Sequence, residues 1–281
     1  MIEVNDRYQM DVDKLKEKIQ QDRQEGLTPL CVIATCGTVN TGACDDLEAV
    51  SKICKQEKLW FHLDGAFGAL AYFSPKYRSY AEGIKYADSM AFDLHKWLSM
   101  PYEVGCILVK DGNKQLETFS STSPATYIDS TTRGVLNGPL VFADLGVELT
   151  RGFKALKVWM SMKAHGVKTY RELITQNIDQ VVQLEELVDK HDKLQNVAPR
   201  DLNILCFRYF DRTLSEDQLT KINAEIIVLL QEEGSAVISH TVLGGKYCLR
   251  VANVNQRSQQ DDFDHLVNRV AAIGDDLALK Y

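Results

Sequence analysis

No stretch of this sequence is apolar for the roughly 20 residues needed to span a bilayer, so a membrane-spanning helix is not expected. The opening residues, Met1 to Lys14, are charged and lack the apolar segment of a secretory signal. Positive charge is not in excess: 32 Lys and Arg stand against 39 Asp and Glu, a formal net charge of −7. A nucleic-acid surface needs clustered Lys and Arg to displace counterions, so nucleic acid is not an expected partner. The seven cysteines (31, 36, 44, 54, 106, 206 and 248) contain no CxxC pair and are odd in number, which argues against a zinc ribbon. Most lie in apolar segments, where Cys packs as a small hydrophobe. Reduced thiols in a cytoplasmic protein are the expectation. Internal repeats and low-complexity linkers are also missing.

What is present is the composition of an ordinary globular protein, 281 residues with 45% hydrophobic and 25% charged side chains. At about 150 residues per domain, the length suits one large or two modest domains. A helix-like stretch (residues 11–23) comes first. Leu30 to Ala34 then reads as a buried strand ending in small polar residues, Thr35 to Thr38. Asp45 and Asp46 open a helical pattern through Leu47, Val50, Ile53 and Cys54, where carboxylates suit the helix dipole. Further strands are predicted at 59–63, 89–92 and 105–109. Short apolar strands alternating with helices predict a parallel-rich α/β sheet covered on both faces. Residues 112–137 break the pattern and read as a long, functional loop. Helices are predicted at about 141–164, stopping at His165-Gly166, and at 169–190. Strands near Val197 and at 204–209, a helix at 215–233, strands at 236–241 and 247–252 and a last helix complete a small α+β layer. The domain boundary is placed near residue 160.

Ligands of open α/β sheets bind beyond the carboxyl ends of the strands. Three such ends carry reactive groups: Thr35 and Thr38, then Asp64, then His95 and Lys96. A lysine can hold a carbonyl cofactor as a Schiff base, and a carboxylate can keep a pyridine nitrogen protonated. Pyridoxal phosphate requires both, and Gly65 and Ala66 would let a flat ring approach. Taken singly, each residue has an ordinary structural explanation: a helix-capping Asp64, a solvated Lys96, a packed His95, turn threonines. A metal site on His62 and Asp64 is an alternative for which no third ligand has suitable spacing.

The segments Thr35-Cys36-Gly37-Thr38, Asp45-Asp46-Leu47, Leu59 to Ala66, Ala87-Asp88-Ser89, His95-Lys96-Trp97, Phe153 to Trp159 and Leu249-Arg250-Val251 together resemble the pyridoxal-phosphate-dependent group II amino acid decarboxylases, and most closely their aromatic-L-amino-acid branch. The resemblance covers essentially the whole chain. It implies an α/β fold: part of an aspartate-aminotransferase-like (fold type I) cofactor-binding large domain over residues 1–160, then a small C-terminal α+β domain over 161–281. By the same resemblance Lys96 holds the cofactor aldehyde, Asp64 pairs with the pyridine nitrogen and Ala66 packs on the ring face. Thr35 lies near the ring, and His95 near the phosphate or the lysine linkage. Pro124-Ala125-Thr126-Tyr127 looks like the mobile catalytic loop, with Tyr127 returning a proton to the substrate carbon once carbon dioxide has left. A cytoplasmic homodimer acting on an amino acid is implied.

Two departures qualify the resemblance. Asp93 stands where the family usually has Asn, and a carboxylate is unfavourable near a phosphate unless it accepts hydrogen bonds. The family's phosphate-binding turn and ring-stacking histidine have no counterpart in the sequence. The expectation is therefore the C-terminal portion of a decarboxylase whose complete site needs an upstream segment. An inactive homologue and one half of a split enzyme are the alternatives.

Overall fold

The computed structural model describes residues 1–120, 133–134 and 142–281. Helix α1 (Val12–Gln24) starts where the Asp11 carboxylate accepts from the Asp13 and Lys14 amides, and it turns Leu15 and Ile19 inward. Strand β1 (Cys31–Thr35), helix α2 (Leu47–Glu57), β2 (Trp60–Asp64), β3 (Ser89–Asp93) and β4 (Gly105–Val109) follow. Asp46 caps α2 by accepting from the Ala49 amide, and Lys58 ends it at φ 56°. The sheet order is β1-β2-β3-β4, with the first three strands parallel and β4 antiparallel. Only long crossovers can make parallel neighbours. Here α2 supplies one, and two 3-10 stretches (Gly68–Phe73 and Arg78–Tyr86) supply the other.

One face of this sheet carries Val32, Ala34, Phe61, Leu63 and Met90 into a core shared with Leu47, Val50, Leu70 and Trp97. The other face is open among the described residues: Ile33 and Ile107 are each 56% exposed. The described residues do not supply the cover expected on both faces. An apolar run reports what could be buried, not what lies on top of it.

Helix α3 (Gly112–Ser120) occupies the start of the stretch expected to be irregular. Its polar sequence hid it, yet Asp111 accepts from the Asn113 and Lys114 amides and so caps its first turn. The helices expected at 141–164 and 169–190 form α4 (Lys154–Asp189), which begins later than expected and is kinked at Gly166, whose non-helical backbone (φ 79°, ψ 150°) separates two helical segments at the expected His165-Gly166 stop. Its Ile174 and Ile178 belong to the first core, and its Val181, Leu184 and Val188 to a second.

That second core lies between α5 (Glu216–Glu232), α6 (Gln260–Ala278) and an antiparallel sheet. The sheet contains β5 (Leu194–Asn196), β6 (Ile204–Tyr209), β7 (Ser239–Leu243) and β8 (Lys246–Ala252), in the order β5-β6-β8-β7. Strand β7 starts later than expected because Gly244 and Gly245, both at positive φ, form the turn that pairs Leu243 with Lys246. The two units meet at the loop after β1, where Arg250 Nε donates to the carbonyls of Val39 (2.8 Å) and Asn40 (3.2 Å). No helix among the described residues is long and apolar enough to cross a membrane.

Candidate active site

Parallel register aligns the strand ends: Thr35 pairs with Asp64, and Asp64 with Ala91. The turns beyond them interlock through the backbone. Cys36 N donates to Asp64 O at 2.8 Å and Asp93 N to Ala66 O at 2.9 Å. Asp64 Oδ1 accepts from the Ala66 amide at 3.0 Å, which fixes the carboxylate at the strand end. Space here is tight. A Cβ on Gly65 would lie 2.5 Å from Ala69 Cβ, and one on Gly68 would lie 2.2 Å from the Cys36 carbonyl oxygen.

Lys96 sits in the turn after β3, half-exposed, with Nζ 2.7 Å from Asp93 Oδ2. The turn is held from both sides. Leu94 N donates to Val104 O at 3.0 Å. On the inner side, buried Trp97 donates from its indole Nε1 to Asn177 Oδ1 on α4 at 3.0 Å. Asp93, expected near a phosphate, is paired with the lysine.

His95 Nδ1 lies 3.0 Å from both the nitrogen and the oxygen of Val104. Val104 O already accepts from Leu94, whereas the Val104 N–H needs an acceptor, so Nδ1 accepts and Nε2 carries the proton. The Tyr102 ring meets His95 edge-on at 4.6 Å. The loop bearing Tyr102 is tethered by α4: Lys157 Nζ donates to Pro101 O (2.7 Å) and Glu103 O (2.9 Å), and Lys154 pairs with Glu103 (2.6 Å). Sequence reasoning noted this lysine pair only as part of a resembling segment. Its spacing of three residues, on an otherwise apolar stretch, was the available signal.

Thr35 is positioned by a carboxylate that sequence reasoning assigned to a helix start. Asp45 is buried; its Oδ2 accepts from the Thr35 amide at 2.7 Å and its Oδ1 from the Met10 amide at 2.6 Å. Burial raises its pKa above 3.8, opposed by those two amide bonds. A raised carboxylate pKa means that the folded state holds the proton more tightly, so this group's stabilising contribution fades as pH rises through its folded value. Asp45→Asn is expected to cost about 1–3 kcal/mol, because one amide loses its acceptor. The stability advantage of wild type over Asp45→Asn should shrink as pH rises from 3.8, as read by urea denaturation at several pH values.

Thr38 Oγ1 meets Thr41 Oγ1 at 3.0 Å and accepts from the Ala43 amide, so it stabilises its own turn. Tyr127 lies outside the described residues. Among the described residues no group of three or more His, Cys, Asp or Glu is placed to hold a metal ion.

Lys96, Asp64, Gly65 and Ala66 fit the aldehyde and the ring of pyridoxal phosphate; none of them is a phosphate ligand. Lys96 offers a half-exposed amine within a rigid turn, Asp64 offers a carboxylate at the neighbouring strand end, and the residues between, Gly65 and Ala66, are the smallest available.

Comparison with known proteins agrees. Residues 1–210 match the pyridoxal-dependent decarboxylase conserved domain. An aromatic-L-amino-acid decarboxylase from Bacillus atrophaeus is 35% identical over the whole of this chain and 58% of its own length. Tyrosine decarboxylase 4 of Petroselinum crispum is 32% identical over 85% of this chain and 47% of its own. Among solved structures, Oryza sativa tryptophan decarboxylase with pyridoxal phosphate and tryptamine superposes with a TM-score of 0.85 at 27% identity, over 98% of this chain and 56% of that one. The chain thus spans about half the length of the curated relatives it matches. On the match of its first 210 residues, the chain belongs to the pyridoxal-dependent decarboxylase family.

Proposed function

We propose that this chain provides the lysine-bearing part of a pyridoxal-phosphate-dependent decarboxylase that converts an aromatic L-amino acid to its amine and carbon dioxide. The observation that carries this reading is the adjacency of the Asp64 strand end to the Lys96 turn. When bound, pyridoxal phosphate supplies an aldehyde that takes up the substrate amine and a ring that withdraws the electron pair left by carbon dioxide. Lys96 Nζ holds the aldehyde, leaving Asp93 to do so. Asp64 keeps a proton on the ring nitrogen, and Ala66 and Thr35 border the ring. His95 and its partner loop shape the same turn, and Tyr127 delivers a proton to the substrate carbon. Residues 1–160 act as the cofactor domain and 161–281 as a small C-terminal domain, within a cytoplasmic homodimer.

Carboxyl-labelled L-tyrosine and L-tryptophan, supplied with the cofactor, test the reaction. Labelled carbon dioxide should be released by wild type and not by Lys96→Ala. A second reading, activity only in the presence of further polypeptide, is favoured by the open sheet face at Ile33 and Ile107. Cofactor capture without carbon dioxide release would support it over the first.

A further inference from the structure

His62 has no part in the chemistry assigned to Lys96 and Asp64. It lies in the middle of β2, two residues before Asp64, so both side chains leave the same face of the strand, about 7 Å apart along it. That face is the open one, whereas Phe61 and Leu63 point into the core.

The bonding around His62 fixes its proton. Ser89 Oγ on β3, itself buried, is 2.8 Å from Trp60 Nε1 and 2.7 Å from His62 Nδ1. An indole N–H can only donate, so Trp60 occupies one lone pair of the hydroxyl. The hydroxyl hydrogen then requires an acceptor, and His62 Nδ1 provides it. The opposite arrangement, with Nδ1 donating, would leave a buried hydroxyl hydrogen without an acceptor among these contacts, at a cost of about 1–3 kcal/mol. Nε2 therefore carries the ring proton.

We infer that His62 is a further binding residue of the site. The Trp60–Ser89 pair holds it as the Nε2–H tautomer, and it donates to an anionic oxygen, either the carboxylate of the amino acid or an acidic oxygen of the cofactor. This role rests on the decarboxylase reading. Trp60 and Ser89 are positioning residues that act through the imidazole, and they select an acceptor ligand over a donor ligand at this point.

Nitrogen NMR of protein labelled at histidine, with the His62 signals assigned by loss in His62→Gln, tests this directly. The wild-type spectrum should show Nε2 protonated and Nδ1 as acceptor. Ser89→Ala should lose that preference, and Ser89→Thr should restore it. A proton on Nδ1 in wild type would overturn the proposal whatever the variants do. Pyridoxal phosphate is then added alone, followed by α-methyl-L-tyrosine or by tyramine. A shift of the Nε2 signal with the cofactor alone assigns the cofactor oxygen. A shift only with α-methyl-L-tyrosine, and not with tyramine, assigns the substrate carboxylate. If a Lys96-dependent visible absorbance shows that cofactor is captured while the His62 signals stay still, this role is overturned and the decarboxylase reading stands. If no cofactor is captured, that reading fails and takes the anion role with it, while the tautomer result remains a separate observation.

Discussion

Trp97→Ala is expected to cost about 3–5 kcal/mol of folding stability, the range for truncating a buried large aromatic. Trp97 is 4% exposed, packs 5.9 Å from the Phe67 ring and donates to Asn177, which is itself buried. Truncation removes apolar contacts on the core side of the Lys96 turn and leaves Asn177 Oδ1 without its donor. Trp97→Phe separates the two effects. It keeps most of the ring and loses only the indole N–H, so its cost should be nearer 1–3 kcal/mol. Urea denaturation reads both. The consequence for the site is distinct from the consequence for stability. Lys96 is adjacent to Trp97, so at a temperature where Trp97→Ala remains folded its capture of pyridoxal phosphate should still be weaker than that of wild type. An equal affinity would mean that Asp93 and the Val104 contacts position the turn without the tryptophan.

Gly68→Ala should be the most disruptive of the single-methyl additions around the site. The new Cβ would lie 2.2 Å from the Cys36 carbonyl oxygen and 2.8 Å from Gly37 Cα, both backbone atoms that no rotamer change can move. The turn after β1 and the turn after β2 cross there, so relief requires them to separate, which displaces Thr35 relative to Asp64. Overpacking of this kind costs about 3 kcal/mol or slightly more. Gly112→Ala is the control, since its Cβ would meet no atom within 4 Å and α3 begins there. It should be neutral or stabilising by a few tenths to about 1 kcal/mol. A destabilisation of Gly68→Ala no larger than that of the control would show that the two turns are not held in contact.

The parts of the site that were legible in the sequence are those decided locally. Apolar runs ending in polar residues located the strand ends at Thr35, Asp64 and Asp93, because a buried strand must stop where it reaches water. A lysine and an aspartate near such ends, 32 residues apart, stood out in the sequence, but their spacing alone named no cofactor; the resemblance of the surrounding segments did. The illegible parts depend on which strands and helices become neighbours. Asp45 reads as an ordinary helix-start carboxylate, and only the folded chain brings it to the Met10 amide, 35 residues away. Ser89 and His62 are 27 residues apart and meet only because β2 and β3 pair in that register. The tether from Lys154 and Lys157 to the loop around Glu103 spans about half a hundred residues and crosses from one helix to one turn. Cover on the sheet is illegible for the same reason: periodicity marks a face as apolar without naming its partner. Helix α3 was missed for the opposite reason. Its start is set by the Asp111 cap, which no apolar stripe announces.

The central claim is that Lys96 is the residue that holds pyridoxal phosphate in this chain. The direct measurement is titration of the cofactor into wild type and Lys96→Ala, followed by borohydride reduction and peptide mass analysis. Wild type should develop a visible absorbance, and reduction should fix the cofactor on the peptide containing Lys96. Lys96→Ala should show neither. A variant that keeps the absorbance, or a wild-type protein labelled equally on its other lysines, would contradict the assignment.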